Sequence, residues 1–140
     1  MIGISHKGET LYRWNDPGEV RCCDYIWMGF GDKDTHPVYK GQVKDGKPNG
    51  LGVLNIYFGK SKYIGSWKNG KRHGQGIMYY LDGGGKHEGE YKDGLLWNGI
   101  DYDKDGKIRD KIVNGKWNGL QYDKDGNIKY KWVNGKEIKQ

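Results

Sequence analysis

The chain has 140 residues, about the size of one domain, and a formal net charge of +6. No apolar run approaches the ~18 residues of a membrane-spanning helix, and only three prolines exclude a polyproline or collagen-like chain. Six Trp and eleven Tyr are too many for a disordered tail, and 25 Gly is more than twice the usual share of roughly 7%. The apolar weight sits in rings, which predicts a thin, aromatic-cored β protein.

Residues 1–38 show no period. The start, MIGISHKG, has no charged head followed by an apolar stretch, so no signal peptide is expected and the expected location is cytoplasmic. Cys22 and Cys23 are adjacent, and neighbours in a strand point to opposite faces, so no bond between them and no disulfide framework is expected. Thr10–Trp14 and Tyr25–Phe30 are predicted as strands of an N-terminal cap.

From residue 39 the chain repeats. Tyr39-Lys-Gly41-Gln-Val43-Lys-Asp-Gly46 is followed by Pro48-Asn-Gly50-Leu-Gly52. Tyr63-Ile-Gly65-Ser-Trp67-Lys-Asn-Gly70 is followed by Arg72-His-Gly74-Gln-Gly76, and His87-Glu-Gly89-Glu-Tyr91-Lys-Asp-Gly94 by Trp97-Asn-Gly99. The step is 24 residues, tightening to 20 where Trp97–Gly106 is matched by Trp117–Gly126 and Val113-Asn-Gly115 by Val133-Asn-Gly135. Six Asn-Gly and five Asp-Gly pairs supply the positive φ of tight hairpin turns. The unit is therefore a β-hairpin. Tyr63, Gly65 and Trp67 share one strand face, and Gly74 and Gly76 share a face on the returning strand. Glycines opposite rings leave slots for them, and neighbouring hairpins complete the burial.

The pattern Tyr-x-Gly-x-Trp-x-x-Gly-x-x-x-Gly-x-Gly, complete from Tyr63 to Gly76, resembles the MORN (membrane occupation and recognition nexus) repeat. The first repeat has Val43 at the second aromatic position, the third has His87 in place of the leading Tyr, and residues 95–137 resemble shorter, degenerate units. The resemblance implies an elongated, curved, single-layer antiparallel sheet with a groove lined by aromatics; about five hairpins are expected at 39–137, with a cap at 1–38, which the resemblance does not cover, and a tail at 138–140. Hairpins at about 10 Å each give a rod of roughly 50 Å. Tyr39, Gly41, Gly50, Gly52, Tyr63, Gly65, Trp67, Gly74, Gly76 and Gly89 are its structural residues.

Few motifs carry chemistry. Asp101-x-Asp103-x-Asp105-Gly106 opens like a calcium loop, but the twelfth position, which needs a bidentate Glu, is Ile112. A second copy starts at Gln121 and ends at Trp132. Both read as polar hairpin turns. His6, His36, His73 and His87 have no partners at ligand or triad spacing, and no P-loop, nucleophile elbow or HExxH is present. No metal, cofactor or catalytic residue is expected.

Charge is uneven: residues 39–86 carry +7, residues 1–38 carry −2 and residues 87–140 carry +1. The implied function is non-catalytic binding. The leading expectation is a protein partner in an aromatic-lined groove, with Tyr57, Tyr79, Trp97, Tyr102, Trp117 and Tyr122 as its candidates. An alternative is peripheral binding of acidic phospholipid by Lys60, Lys62, Lys68, Lys71 and Arg72, which would place the protein at a membrane surface. A third is self-association as a homodimer or architectural element through open sheet edges. Single-stranded nucleic acid is disfavoured, because the rings have a structural task.

Overall fold

A computed structural model describes residues 8–14, 25–56, 60–81 and 83–117, together with the backbone of 121–122, 128–133 and 136–139. It is all-β. Ten strands form one open antiparallel sheet: β1 (Glu9–Trp14), β2 (Ile26–Met28), β3 (Val38–Lys44), β4 (Lys47–Ile56), β5 (Ser61–Lys68), β6 (Lys71–Tyr80), β7 (Gly85–Lys92), β8 (Leu95–Tyr102), β9 (Ile108–Val113) and β10 (Lys116–Trp117). The order is β10-β9-β8-β7-β6-β5-β4-β3-β1-β2, so successive hairpins pair side by side. Strands β11 (Gln121–Tyr122), β12 (Ile128–Val133) and β13 (Lys136–Lys139) pair with one another in a separate three-stranded sheet. The 20-residue match between 97–106 and 117–126 thus does not extend the ten-stranded ladder.

The turns follow from the sequence. Asp45-Gly46, Asn69-Gly70, Asp93-Gly94 and Asn114-Gly115 all have positive φ, near 50° at the first residue and 75–94° at the glycine. Two consecutive left-handed residues make the turn whose twist matches the flanking strands. The last three of these tips are tied to the preceding hairpin: the N–H groups of Gly70, Gly94 and Gly115 donate to the carbonyls of Pro48, Arg72 and Trp97 at 2.8–2.9 Å. Side chains add a second tie. Asn49 Oδ1, His73 Nδ1 and Asn98 Oδ1 accept the N–H of Asn69, Asp93 and Asn114. This gives His73 a structural place.

The core lies on one face, here the ring face. Gly41, Gly52, Gly65, Gly76, Gly89 and Gly99 stand directly opposite one another across six strands. The row parallel to it is Leu11, Tyr39, Leu54, Tyr63, Met78, His87, Asp101 and Asp110. Each leading tyrosine lies across the glycine row: a Cβ at Gly52 would overlap Tyr39, and one at Gly76 would overlap Tyr63. Both tyrosines are 0% exposed although the sheet is a single layer. The hydroxyls explain why these are tyrosines. A bulge follows Gly41 and Gly65, and bulged residues lose ladder partners. Tyr39 donates to Gln42 O at 2.6 Å and Tyr63 to Ser66 O at 2.9 Å, satisfying the carbonyls at the bulges.

The rings seal one another. Trp67 stands edge-on to Tyr39 (5.2 Å) and Tyr63 (5.1 Å), and Tyr63 to Tyr91 (5.1 Å). Trp27 from β2 closes the N-terminal end against Tyr39 and Trp67, and its Nε1 donates to Gly70 O. Such edge-to-face pairs contribute about 0.5–1.5 kcal/mol beyond the area they bury.

Candidate functional site

With the ring face filled by its own side chains, the sheet has another face to examine. On it Lys40, Val53, Ile64, Ile77, Glu88, Ile100 and Lys111 stand in one row across β3–β9. Two residues along each strand runs a second row: Asn55, Lys62, Tyr79, Lys86 and Tyr102. These residues point away from the glycines, so nothing in the fold sinks them into slots. Ile64 is 42% and Leu51 65% exposed. Lys86 Nζ lies 5.0 Å from the Tyr102 ring centroid and 3.7 Å from Glu88 Oε2. Tyr79, Lys86, Tyr102 and Lys104 line an open depression of about 370 Å³ at the end of this row.

The groove candidates are therefore divided among three places. Tyr79 and Tyr102 lie on the face opposite the rings, not in a ring-lined groove. Trp97 sits at the bulge of β8, packed on the turn at Gly115 with Lys92 Nζ 4.8 Å over its ring. Trp117 alone is on the ring face and half-exposed, edge-on to His87 at 5.1 Å. Tyr57 and the side chain of Tyr122 lie outside the described residues, as do Cys22 and Cys23.

The lipid candidates do not form one patch either. Lys60 and Lys62 belong to one end of β5, and Lys68 and Lys71 to the turn at the other, about 20 Å away at ~3.3 Å per residue. Arg72 is on the ring face: its guanidinium lies 5.8 and 5.5 Å from the Tyr63 and Tyr91 ring centroids, and Nη2 donates to Gly94 O at 2.6 Å. It is a strut of the core, which corrects its grouping with the surface lysines. Sequence reasoning missed Lys44 and Lys47, which stand directly opposite one another at the first tip as Lys68 and Lys71 do at the second. The Lys-Asp-Gly-Lys and Lys-Asn-Gly-Lys spellings carry that signal.

Sequence reasoning also missed a polar inlay in the third repeat. Where earlier repeats pair Tyr39 with Leu54 and Tyr63 with Met78, this one pairs His87 with Asp101. Asp101 is 5% exposed and Asp110, directly across from it, 6%. His87 Nε2 is 3.2 Å from Asp101 Oδ1, and Arg109 holds both carboxylate oxygens at 2.8 and 3.0 Å. Tyr80 Oη lies 3.4 Å from His87 Nδ1. Burial pushes the His87 pKa down, partly offset by Asp101. Burial likewise raises the Tyr80 phenol, and the Asp101 carboxylate raises Arg109. Among the described residues no group of three or more His, Cys, Asp or Glu could hold a metal ion. Asp103 instead ties its own loop, its Oδ1 accepting the N–H groups of Asp105 and Lys107; the Lys107 bond is the main reason its carboxyl is held low.

A chain of stacked hairpins, ring-filled on one face, is a β-hairpin repeat protein. The family model of the MORN repeat matches residues 39–55 and 63–85, so the chain carries MORN repeats over β3–β6. A search of curated proteins finds no match. Among the described residues no helix is long and apolar enough to cross a membrane.

Proposed function

We propose that the chain is a non-catalytic module that receives a protein partner on the face carrying Tyr79 and Tyr102. One observation carries this reading. Over β3–β7 the ring face consumes its aromatics in self-packing, while the opposite face, which carries the Lys62–Tyr79–Lys86–Tyr102 row, presents Ile64 and Leu51 to solvent. Tyrosines with an apolar body and a polar tip suit such a contact. The test is a photo-crosslinking amino acid placed singly at positions 68, 79, 102 and 117 in cells of the source. Crosslinks to one protein from 79 and 102 support the reading. Crosslinks confined to 68 or 117 overturn it.

A second reading, peripheral binding to acidic phospholipid, is favoured by the hairpin tips. Like charges directly opposite one another destabilise a strand pair, yet Lys44 faces Lys47 and Lys68 faces Lys71. Each lysine near an anionic bilayer contributes about 1 kcal/mol. Co-sedimentation with anionic liposomes at about 50 and about 300 mM salt spans the range in which the Debye length falls below ~6 Å. Salt-sensitive binding lost in a Lys44→Glu/Lys68→Glu variant supports it, and no binding at either salt removes it.

A further inference from the structure

We infer that the partner's contact element is an acidic amphipathic helix, laid over Leu51, Val53, Ile64 and Ile77 and flanked by the Lys62–Tyr79–Lys86 row. This rests on the protein-binding reading above.

Three features lead there. The strands beneath the patch, β4–β7, are each paired on both sides, so this face has no free ladder for an incoming strand. A segment crossing it must satisfy its own backbone groups, and a helix does. Next, Val53, Ile64 and Ile77 are direct neighbours on three consecutive strands, with exposed Leu51 beside them. Scattered apolar residues need no explanation on a surface, but a contiguous set marks a contact. Finally, the rim on the Lys62 side is cationic, while on the Leu51 side Glu90, two residues along β7 from Glu88, is held by Asn98 Nδ2 at 3.0 Å. Lys62 and Lys86 stand directly on either side of Tyr79, and Lys40 ends the apolar row at β3. Glu88 is the acid within that row, and Lys86 already lies 3.7 Å from it. The face carries Lys40, Lys62, Lys86 and Lys111 against Glu88 and Glu90, and this cationic balance favours an acidic partner over a second copy of the same face. The patch and its flank cross five strands, about 19 Å at ~4.8 Å spacing, which a helix of about 13 residues spans at ~1.5 Å per residue.

The experiment is a display selection on the intact chain, using a fixed helical scaffold whose 14 exposed positions are randomised. Selected binders are measured against wild type, Ile64→Glu, Lys62→Glu/Lys86→Glu and Lys68→Glu, each first checked for an unchanged far-UV circular dichroism spectrum. The expected binders pair an apolar stripe with Asp and Glu on its flank. Ile64→Glu abolishes their binding, the Lys62/Lys86 reversal weakens it roughly tenfold or more, and Lys68→Glu leaves it unchanged. Binders that dock on this face without acidic bias overturn the inference and leave the protein-binding face standing. Binders indifferent to Ile64→Glu, or an empty selection, overturn both.

Discussion

Gly76→Ala isolates the packing rule of the repeat. An added Cβ would overlap Tyr63 Oη and stand 2.5 Å from Cζ and 2.6 Å from Cε2, closer than real Cβ contacts. The ring cannot simply step aside, because Trp67 and Tyr91 pack edge-on against it at 5.1 Å each and it is 0% exposed. Overpacking of such a site costs about 1–3 kcal/mol. Displacing the ring also breaks the bond from Tyr63 Oη to Ser66 O, worth about 1 kcal/mol. The expected loss is about 2–4 kcal/mol, read as a lower urea midpoint by circular dichroism. Large-to-small substitution makes Tyr63→Leu costly by itself, by about 3 kcal/mol. The informative quantity is the coupling: with the ring tip gone, Gly76→Ala should cost at least about 1 kcal/mol less than in the wild type. Costs that add within about 0.5 kcal/mol would refute the account of glycine as a seat for the ring.

The other predictions use separate physics. His87, its pKa depressed by burial, binds fewer protons folded than unfolded, so stability should fall as pH drops below about 6.5. His87→Phe should flatten that slope in thermal melts from pH 7 to 5. The Tyr63 phenol is pushed up to about 12 by burial, and burial raises those of Tyr39 and Tyr91 as well. Stability from these groups is present below pH ~10 and lost above it, so absorbance at 295 nm should show their ionisation only together with unfolding. Lys68→Glu relieves the repulsion with Lys71 and should stabilise by about 0.2–1 kcal/mol in urea, whatever it does to liposome binding.

The hairpins were legible because their rules are local. Asn69-Gly70 spells a turn, Tyr63-x-Gly65-x-Trp67 spells a strand face, and a 24-residue step stacks one unit on the next. The register was less so. Gly76 does not face a ring directly: it stands opposite Gly65, and Tyr63 reaches it by leaning across the row. Gly74 pairs with Tyr91 of the following hairpin, not with Trp67 of its own. Bulges after Gly41 and Gly65 shift the pairing by two residues, and nothing in the period announces them. The candidate site suffered most from this. Proximity in sequence grouped Arg72 with Lys71, although one carries the core and the other flanks the turn. The sequence offers Tyr79 and Tyr102 as rings of a groove, but their face depends on a register that only the paired strands define.

Glycine slots work on one side only. Removing the side chain at Gly52, Gly65 and Gly76 lowers the floor of the ring face, yet the intervening Val53, Ile64 and Ile77 still project from the other face at full height. A single-layer sheet of this kind cannot bury both faces by the same device. One face then governs stability, and the other is left for whatever the chain meets. Neighbouring residues should accordingly separate in their effects. Tyr63 and Trp67 report on unfolding. Lys62 and Ile64, each one residue from Tyr63, should leave the urea midpoint nearly unchanged and alter only association. A large loss of stability from Ile64→Glu would mean that this face is packed in solution, and the surface proposed for the partner would have to be sought elsewhere.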